Sequence, residues 1–182
     1  MSLLRILLVS LLGLAPVLAV RGFTAASLKP RAEVLFLEPE KFTDLRSSHM
    51  SSETDRESLL EQIRDYVMSQ ARRYIPEGCL LAVTFTDIDM AGDFEPWLGS
   101  RWDDVRIVRD IYPPRIDLAF RVTDADGNIL LQGERKLRDF AFMMKIRMQS
   151  DNDSLRHEKA LIDDWFRLEF ARARQVAGAQ RP

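Results

Sequence analysis

The spacing of apolar positions predicts a strand followed by a long amphipathic helix in the first part of the chain. Residues 32–37 form a short, largely apolar run closed by a proline, which is typical of a strand. Apolar residues then recur at helical spacing over residues 59–74. Thr54 and Glu57 have capping-box spacing, so the helix is predicted to begin there, and Pro76 ends it.

Strict alternation of apolar and polar residues predicts three further strands. Residues 81–86 alternate first, and residues 116–123 and 129–137 follow as a second and third segment. Asp126-Gly127 lies between the last two and indicates a hairpin with a two-residue loop. That loop predicts the register Val122 opposite Leu131, Phe120 opposite Gly133, and Asp117 opposite Lys136.

A last helix with a wide apolar face is predicted from about Ser154 to about Ala173. The order of elements predicts a single α+β domain over residues 27–176, followed by a flexible tail, residues 177–182. We expect a mostly antiparallel sheet of about four strands, with two main helices packed on one face.

The amino terminus has the features of a secretory signal peptide. Residues 6–20 are uncharged and follow Arg5, and a helix of that length spans roughly 22 Å, less than the roughly 30 Å of a bilayer core. We predict a cleaved signal peptide over residues 1–26, with cleavage after Ala26 or, as the alternative, after Ala19. Cleavage would leave no stable membrane anchor.

Composition excludes several classes of protein. The chain has 26 basic and 28 acidic residues, a net charge of −2, which argues against nucleic-acid binding. Without residues 1–26 the charge is −4, because only Arg5 and Arg21 are removed. The single cysteine excludes a disulfide framework within the chain and any multi-cysteine metal site.

Residues 86–115 combine acidic, aromatic and arginine side chains and are the candidate functional segment. Residues 84–126 contain ten acidic residues against five arginines. Alternation continued from Phe85 would turn Asp87 and Asp89 toward the core, so the strand ends, a bulge turns them outward, or arginines neutralise them. The candidate binding residues are Asp87, Asp89, Asp93, Glu95, Trp97, Arg106, Arg109, Asp110, Tyr112 and Arg115.

Three interpretations of this segment stay open. The acidic side chains could form a structural network with the arginines, or line a binding surface. Alternatively, Asp87, Asp89, Asp93 and Glu95 could bind calcium or act as the acid–base pair of a hydrolase. No nucleophile–base signature accompanies them, and we predict no catalytic residue, no metal ligand and no cofactor.

Three segments of the chain resemble a known family. Residues 87–97, 105–117 and 133–139 are similar to the domain-of-unknown-function family 3016, whose members are small exported proteins of Gram-negative bacteria, and the similarity spans roughly Ala32 to Phe170. The resemblance implies a periplasmic location and implies no activity. We therefore expect a periplasmic binding or envelope-accessory protein rather than an enzyme, whose partner is an unidentified periplasmic protein or small molecule.

Overall fold

The structure is a computed structural model, which describes residues 31–48, 50–99, 103–144 and 153–179. The predicted signal peptide, residues 1–26, lies outside the described residues. The helices and strands are β1 (Ala32–Phe36), α1 (Glu53–Tyr74), β2 (Leu80–Asp89), β3 (Asp93–Phe94), β4 (Arg106–Ile107), β5 (Arg115–Thr123), β6 (Ile129–Arg138) and α2 (Arg156–Ala179). Neither of these two helices combines the length and apolar character that a membrane crossing requires.

The predicted α+β architecture is confirmed. β1, β2, β5 and β6 form one sheet in that order. β1 and β2 are parallel, because α1 carries the chain back between them, and the other pairs are antiparallel. β3 and β4, both within the candidate segment, form a separate two-stranded ladder.

The register predicted for the β5–β6 hairpin is confirmed, but its loop is longer than predicted. Phe120 lies opposite Gly133, Val122 opposite Leu131, and Asp117 opposite Lys136. Near the turn the register shifts by one residue, so Thr123 pairs with Ile129. The Asp124 side chain accepts the backbone N–H groups of Asp126 and Asn128 at 2.9 Å each, which stabilises a longer loop than the predicted two-residue turn.

The start of α1 differs from the prediction. Ser52, not Thr54, is the N-cap, and its hydroxyl accepts the Asp55 N–H at 3.2 Å. The Asp55 carboxylate accepts the Ser52 N–H at 2.9 Å in return. Ser52 and Asp55 have the same spacing as Thr54 and Glu57, so spacing alone could not distinguish the two pairs.

One hydrophobic core lies between the sheet and the helices. It contains Leu81, Val83 and Phe85 of β2, the alternate apolar residues of β5, and the inward faces of α1 and α2. Two α2 aromatic side chains, Trp165 and Phe170, pack edge-on against Phe120 of β5.

A β-bulge at Thr86 turns the acidic residues of β2 away from this core. Phe85 pairs with Leu118 and Asp87 pairs with Asp117, so Thr86 is the extra residue. As a result Ile88 is fully buried, whereas Asp87 and Asp89 are turned away from the core. Of the alternatives left open by the sequence, the bulge is the one that the structure shows.

Candidate functional site

Asp87 is held by the segment that follows β1. Its two carboxylate oxygens accept the Thr43 N–H at 2.7 Å and the Thr43 hydroxyl at 2.8 Å. Its cross-strand neighbour is Asp117, a like charge, and Asp117 forms an ion pair with Arg138 at 2.7 Å. Asp87 therefore stabilises the position of the polar stretch after β1, and it does not line the clefts described below.

Glu95 is almost completely buried, with 1% of its surface exposed, and two residues of the candidate segment hold it. The Tyr112 hydroxyl donates to Oε1 at 3.0 Å, and Arg109 forms an ion pair with Oε2 at 3.0 Å. An ionised Tyr112 has no proton to donate to this carboxylate. The hydrogen bond therefore raises the pKa of Tyr112 above its ordinary value.

Arg106 binds none of the four acidic candidates. Its guanidinium donates to Asp44 at 2.9 Å and to the backbone carbonyls of Arg46 and Gly92 at 2.9 and 2.8 Å. It also lies over the Phe94 ring at 4.7 Å. Arg106 thus ties the loop after β1 to the segment after β2, which is a structural role.

Asp89 is partly buried and only loosely paired. Among the described residues, the cation within ion-pair distance is Arg115, whose Nε lies 3.7 Å from the carboxylate, too far for a hydrogen bond. Burial raises the pKa of Asp89, and Arg115 opposes that increase.

The first cleft lies beside Asp89 and has a volume of about 280 Å³. Its lining comes from the segment after β1, from the end of β2 with the residues that follow it, and from the segment that leads into β5, and a hydrophobic side chain, Ile111, is exposed at its rim. The lining residues used below are Arg46, Asp89, Asp93, Ile111, Tyr112 and Arg115. Four of these six, namely Asp89, Asp93, Tyr112 and Arg115, are among the residues predicted from the sequence.

Arg46 is a cleft residue that the sequence analysis did not identify. Its Nε donates to Asp44 at 3.0 Å, and its terminal nitrogens have no hydrogen-bond partner among the described residues. It follows β1 in a polar stretch with no repeated pattern, so no sequence signal distinguished it from a solvated loop arginine.

Two further predicted site residues, Trp97 and Asp110, also lie apart from this cleft. Trp97 belongs to a short 3-10 turn, Pro96–Leu98, with 70% of its surface exposed, and Asp110 is also exposed. Neither lines the first cleft, and neither lines the second.

A second cleft of about 280 Å³ adjoins the first, and Arg46 and Met90 line both. Arg106, Arg156 and His157 are among its other lining residues. Met90 and Ala91 belong to its wall, and the Ala91 N–H donates at 2.7 Å to Glu158 of α2. Glu158 lies outside the candidate segment, residues 86–115, and no sequence signal distinguished it from a solvated glutamate of the last helix.

The four acidic candidates are thus distributed among different partners. Within the part of the chain that the structure describes, no three histidine, cysteine or acidic side chains come together as a group that could hold a metal ion. What the first cleft offers instead is a pair of half-exposed guanidinium groups, Arg46 and Arg115, beside two carboxylates, Asp89 and Asp93.

Comparison with known proteins gives one finding. Residues 30–168 match the model of a family described as "Protein of unknown function (DUF3016)". The resemblance seen in the sequence is therefore confirmed. No curated protein and no solved structure matches the chain.

Proposed function

We propose that this chain, which belongs to the family of proteins of unknown function DUF3016, is a periplasmic binding protein that holds a small zwitterionic ligand in its first cleft. The ligand class is an amino acid or the end of a short peptide. The carrying observation is that Arg46 and Arg115 line the same cleft as Asp89 and Asp93.

The arginines supply the half of the site that would bind a carboxylate. Arg46 uses only Nε in its bond to Asp44, and Arg115 approaches Asp89 only through Nε at 3.7 Å. Each therefore retains two terminal nitrogens as donors, and a guanidinium binds a carboxylate in bidentate geometry.

The carboxylates supply the half that would bind an ammonium group. Asp89 accepts no hydrogen bond among the described residues, and Asp93 uses Oδ1 to accept the Phe94 N–H at 2.7 Å. A zwitterion satisfies both halves at once, whereas a simple anion or a simple cation would meet a like charge.

The size of the cleft supports a small ligand. Its volume of about 280 Å³ is just below the range for sites that bind drug-sized molecules, roughly 300–1,000 Å³. The exposed side chain of Ile111 and the ring of Tyr112 offer apolar contact to the aliphatic part of an amino acid.

A binding role rather than catalysis is supported by how Asp87 and Glu95 are engaged. Thr43 uses both oxygens of Asp87, and Arg109 and Tyr112 hold a Glu95 that has 1% of its surface exposed. A general acid or base must reach its substrate, and these two carboxyl groups are occupied by the protein.

Calorimetry with L-alanyl-L-alanine tests the ligand class. We expect the free dipeptide to bind at pH 7, and the N-acetylated and C-amidated forms to bind at least ten-fold more weakly, because each removes one charged hydrogen-bonding group worth about 1.5–3 kcal/mol. The variant Arg115→Gln should lose the preference for a free carboxylate. Arg121→Gln, an exposed arginine on the same face of β5, is the matched control and should bind as the unmodified protein does. Absence of dipeptide binding, or equal binding of the blocked forms, would contradict the proposal.

The periplasmic location rests on the predicted signal peptide and on the family resemblance. Expression of the full chain in a Gram-negative host, fractionation and amino-terminal sequencing test it. We expect the periplasmic fraction to contain protein that begins at Ser27, or at Val20 if cleavage follows Ala19. Recovery of the chain in the cytoplasm with residues 1–26 intact would contradict export.

A further inference from the structure

The segment from Met90 to Gly92 is held by three different parts of the molecule. The Met90 N–H donates to the Asp44 carbonyl at 2.9 Å, and the Gly92 N–H donates to the Tyr112 carbonyl at 3.0 Å. Between them, the Ala91 N–H donates to a side chain, Glu158, at 2.7 Å. Of these three consecutive amides, only that of Ala91 depends on an ionisable group.

Glu158 reaches this amide from the first turn of α2 and is completely buried. Oε1 accepts the Ala91 N–H, and Oε2 is buried with no hydrogen-bond partner among the described residues. A carboxyl group with one oxygen engaged and one unpaired can exist in either protonation state without breaking another contact.

The surroundings of Glu158 contain opposing charges. Arg106 of β4 favours the ionised form, and Asp153, before α2, disfavours it. Of its neighbours on α2, Lys159 is paired with Asp153 at 2.7 Å and the His157 ring packs edge-on against Phe142. Burial has the largest effect and raises the pKa of Glu158 to about 7, so its carboxyl group changes charge near neutral pH.

The amide that Glu158 holds belongs to the wall between the two clefts. Met90 and Gly92 line the first cleft, and Met90 and Ala91 line the second. Gly92 has φ +82°, and a Cβ there would lie 2.8 Å from the Ile107 carbonyl oxygen, so this wall is packed tightly against β4. A change in the bond at Ala91 therefore acts on a wall that has little free space.

We propose that Glu158 is a positioning residue for the first cleft, and that gain or loss of its proton changes the affinity of the cleft for its ligand. This inference rests on the proposed function. The ionised carboxylate makes a charge-assisted hydrogen bond to Ala91, which is about twice as strong as the bond to the neutral acid. The wall is thus held more firmly in the ionised state, and the affinity for the dipeptide rises with pH.

The first measurement needs no ligand. In the full chain labelled with ¹³C and ¹⁵N, the amide proton of Ala91 should titrate with a midpoint near neutrality, together with the side-chain carboxyl carbon of Glu158. The variant Glu158→Gln, which keeps an oxygen for Ala91 but does not ionise, should remove the Ala91 titration. Glu57→Gln, an exposed glutamate of α1, is the matched control and should retain it.

The second measurement is calorimetry with L-alanyl-L-alanine between pH 5.5 and 7.5. We expect the affinity to rise three- to ten-fold over this range in the unmodified protein and in Glu57→Gln, and to stay constant in Glu158→Gln. An Ala91 amide that does not titrate, or an affinity that is independent of pH in the unmodified protein, overturns the inference.

The two measurements also separate this inference from the proposed function. If the Ala91 amide titrates but the dipeptide does not bind at any pH, the proposed ligand is wrong and the inference about affinity is overturned with it. If the dipeptide binds but Ala91 does not titrate, the ligand class stands and only the role of Glu158 is overturned.

Discussion

The chain on either side of Thr86, residues 80–85 before it and residues 87–99 and 103–112 after it, is held in place by different forces. Before the bulge, Leu81, Val83 and Phe85 alternate into the core, and burial of apolar surface holds them. After it, several polar groups are each held by a particular partner from elsewhere in the chain, although Asp89 is only loosely paired. We therefore expect the first part to tolerate apolar side chains of similar volume, and the second part to depend on specific residues.

The largest effect is expected from a core substitution in the first part. Phe85 is fully buried and stacks on Phe36 at 5.2 Å between ring centroids, so Phe85→Ala should lower the free energy of unfolding by about 3–5 kcal/mol. Urea unfolding at low and high salt should give the same loss, because no charge is involved. Leu35→Ala is the control, because 59% of the surface of Leu35 is exposed, and it should change the free energy of unfolding by less than about 0.5 kcal/mol. A loss of stability in Phe85→Ala that changes with salt concentration would contradict the distinction between the two parts.

The next effect is expected at Arg106 in the second part. Arg106→Met leaves the buried Asp44 carboxylate with Arg46 alone and removes the donor to the Gly92 carbonyl, so we expect a loss of about 3 kcal/mol in urea unfolding. Arg167→Met, which removes an exposed pair with Asp164, should cost less than about 1 kcal/mol. A loss at Arg106 no larger than that of the control would show that Arg46 suffices for Asp44.

The same difference explains what the sequence could and could not predict. The alternation of β5 and β6 sufficed to predict their register, because each residue's face follows from its neighbours two positions away. Asp44 and Arg106 are 62 residues apart, and Ala91 and Glu158 are 67 residues apart. Their pairing depends on the folded chain, and no local spacing indicates it.

The candidate site was predicted in part for the same reason. The acidic and arginine residues of one continuous segment drew attention to Asp89, Asp93, Tyr112 and Arg115, which do meet in the first cleft. Arg46 comes from a different segment and was missed. Asp87 and Glu95 were predicted with the others, yet they are held by Thr43 and by Arg109 with Tyr112.

A smaller effect is expected from the protonation of Glu158. Its pKa in the folded chain is about 7, above the ordinary 4.5, so the folded state binds the proton more tightly than the unfolded state. Its contribution to stability is therefore complete below pH 4.5 and is lost as the pH rises through 7. Urea unfolding measures this loss. From pH 5 to pH 8, the free energy of unfolding of the unmodified protein should fall by on the order of 2 kcal/mol more than that of Glu158→Gln. Parallel pH profiles for the two proteins would contradict this assignment.

The smallest expected effect is a change in one tyrosine. Tyr112 donates to the buried carboxylate of Glu95, which raises the pKa of its phenol. Glu95→Gln replaces the anion with a neutral amide, so Arg109 loses its ion pair. Because the Arg109 side chain is 47% exposed, water solvates its charge instead. We therefore expect the pKa of Tyr112 to fall toward about 10. A pH titration of the tyrosine ring signals by NMR measures it, with Tyr66 and Tyr74 of α1 as internal references. An unchanged midpoint for Tyr112 would mean that surrounding charges, and not the single hydrogen bond to Glu95, set the pKa of its phenol. The second part of the chain would then depend less on individual partners than the structure indicates.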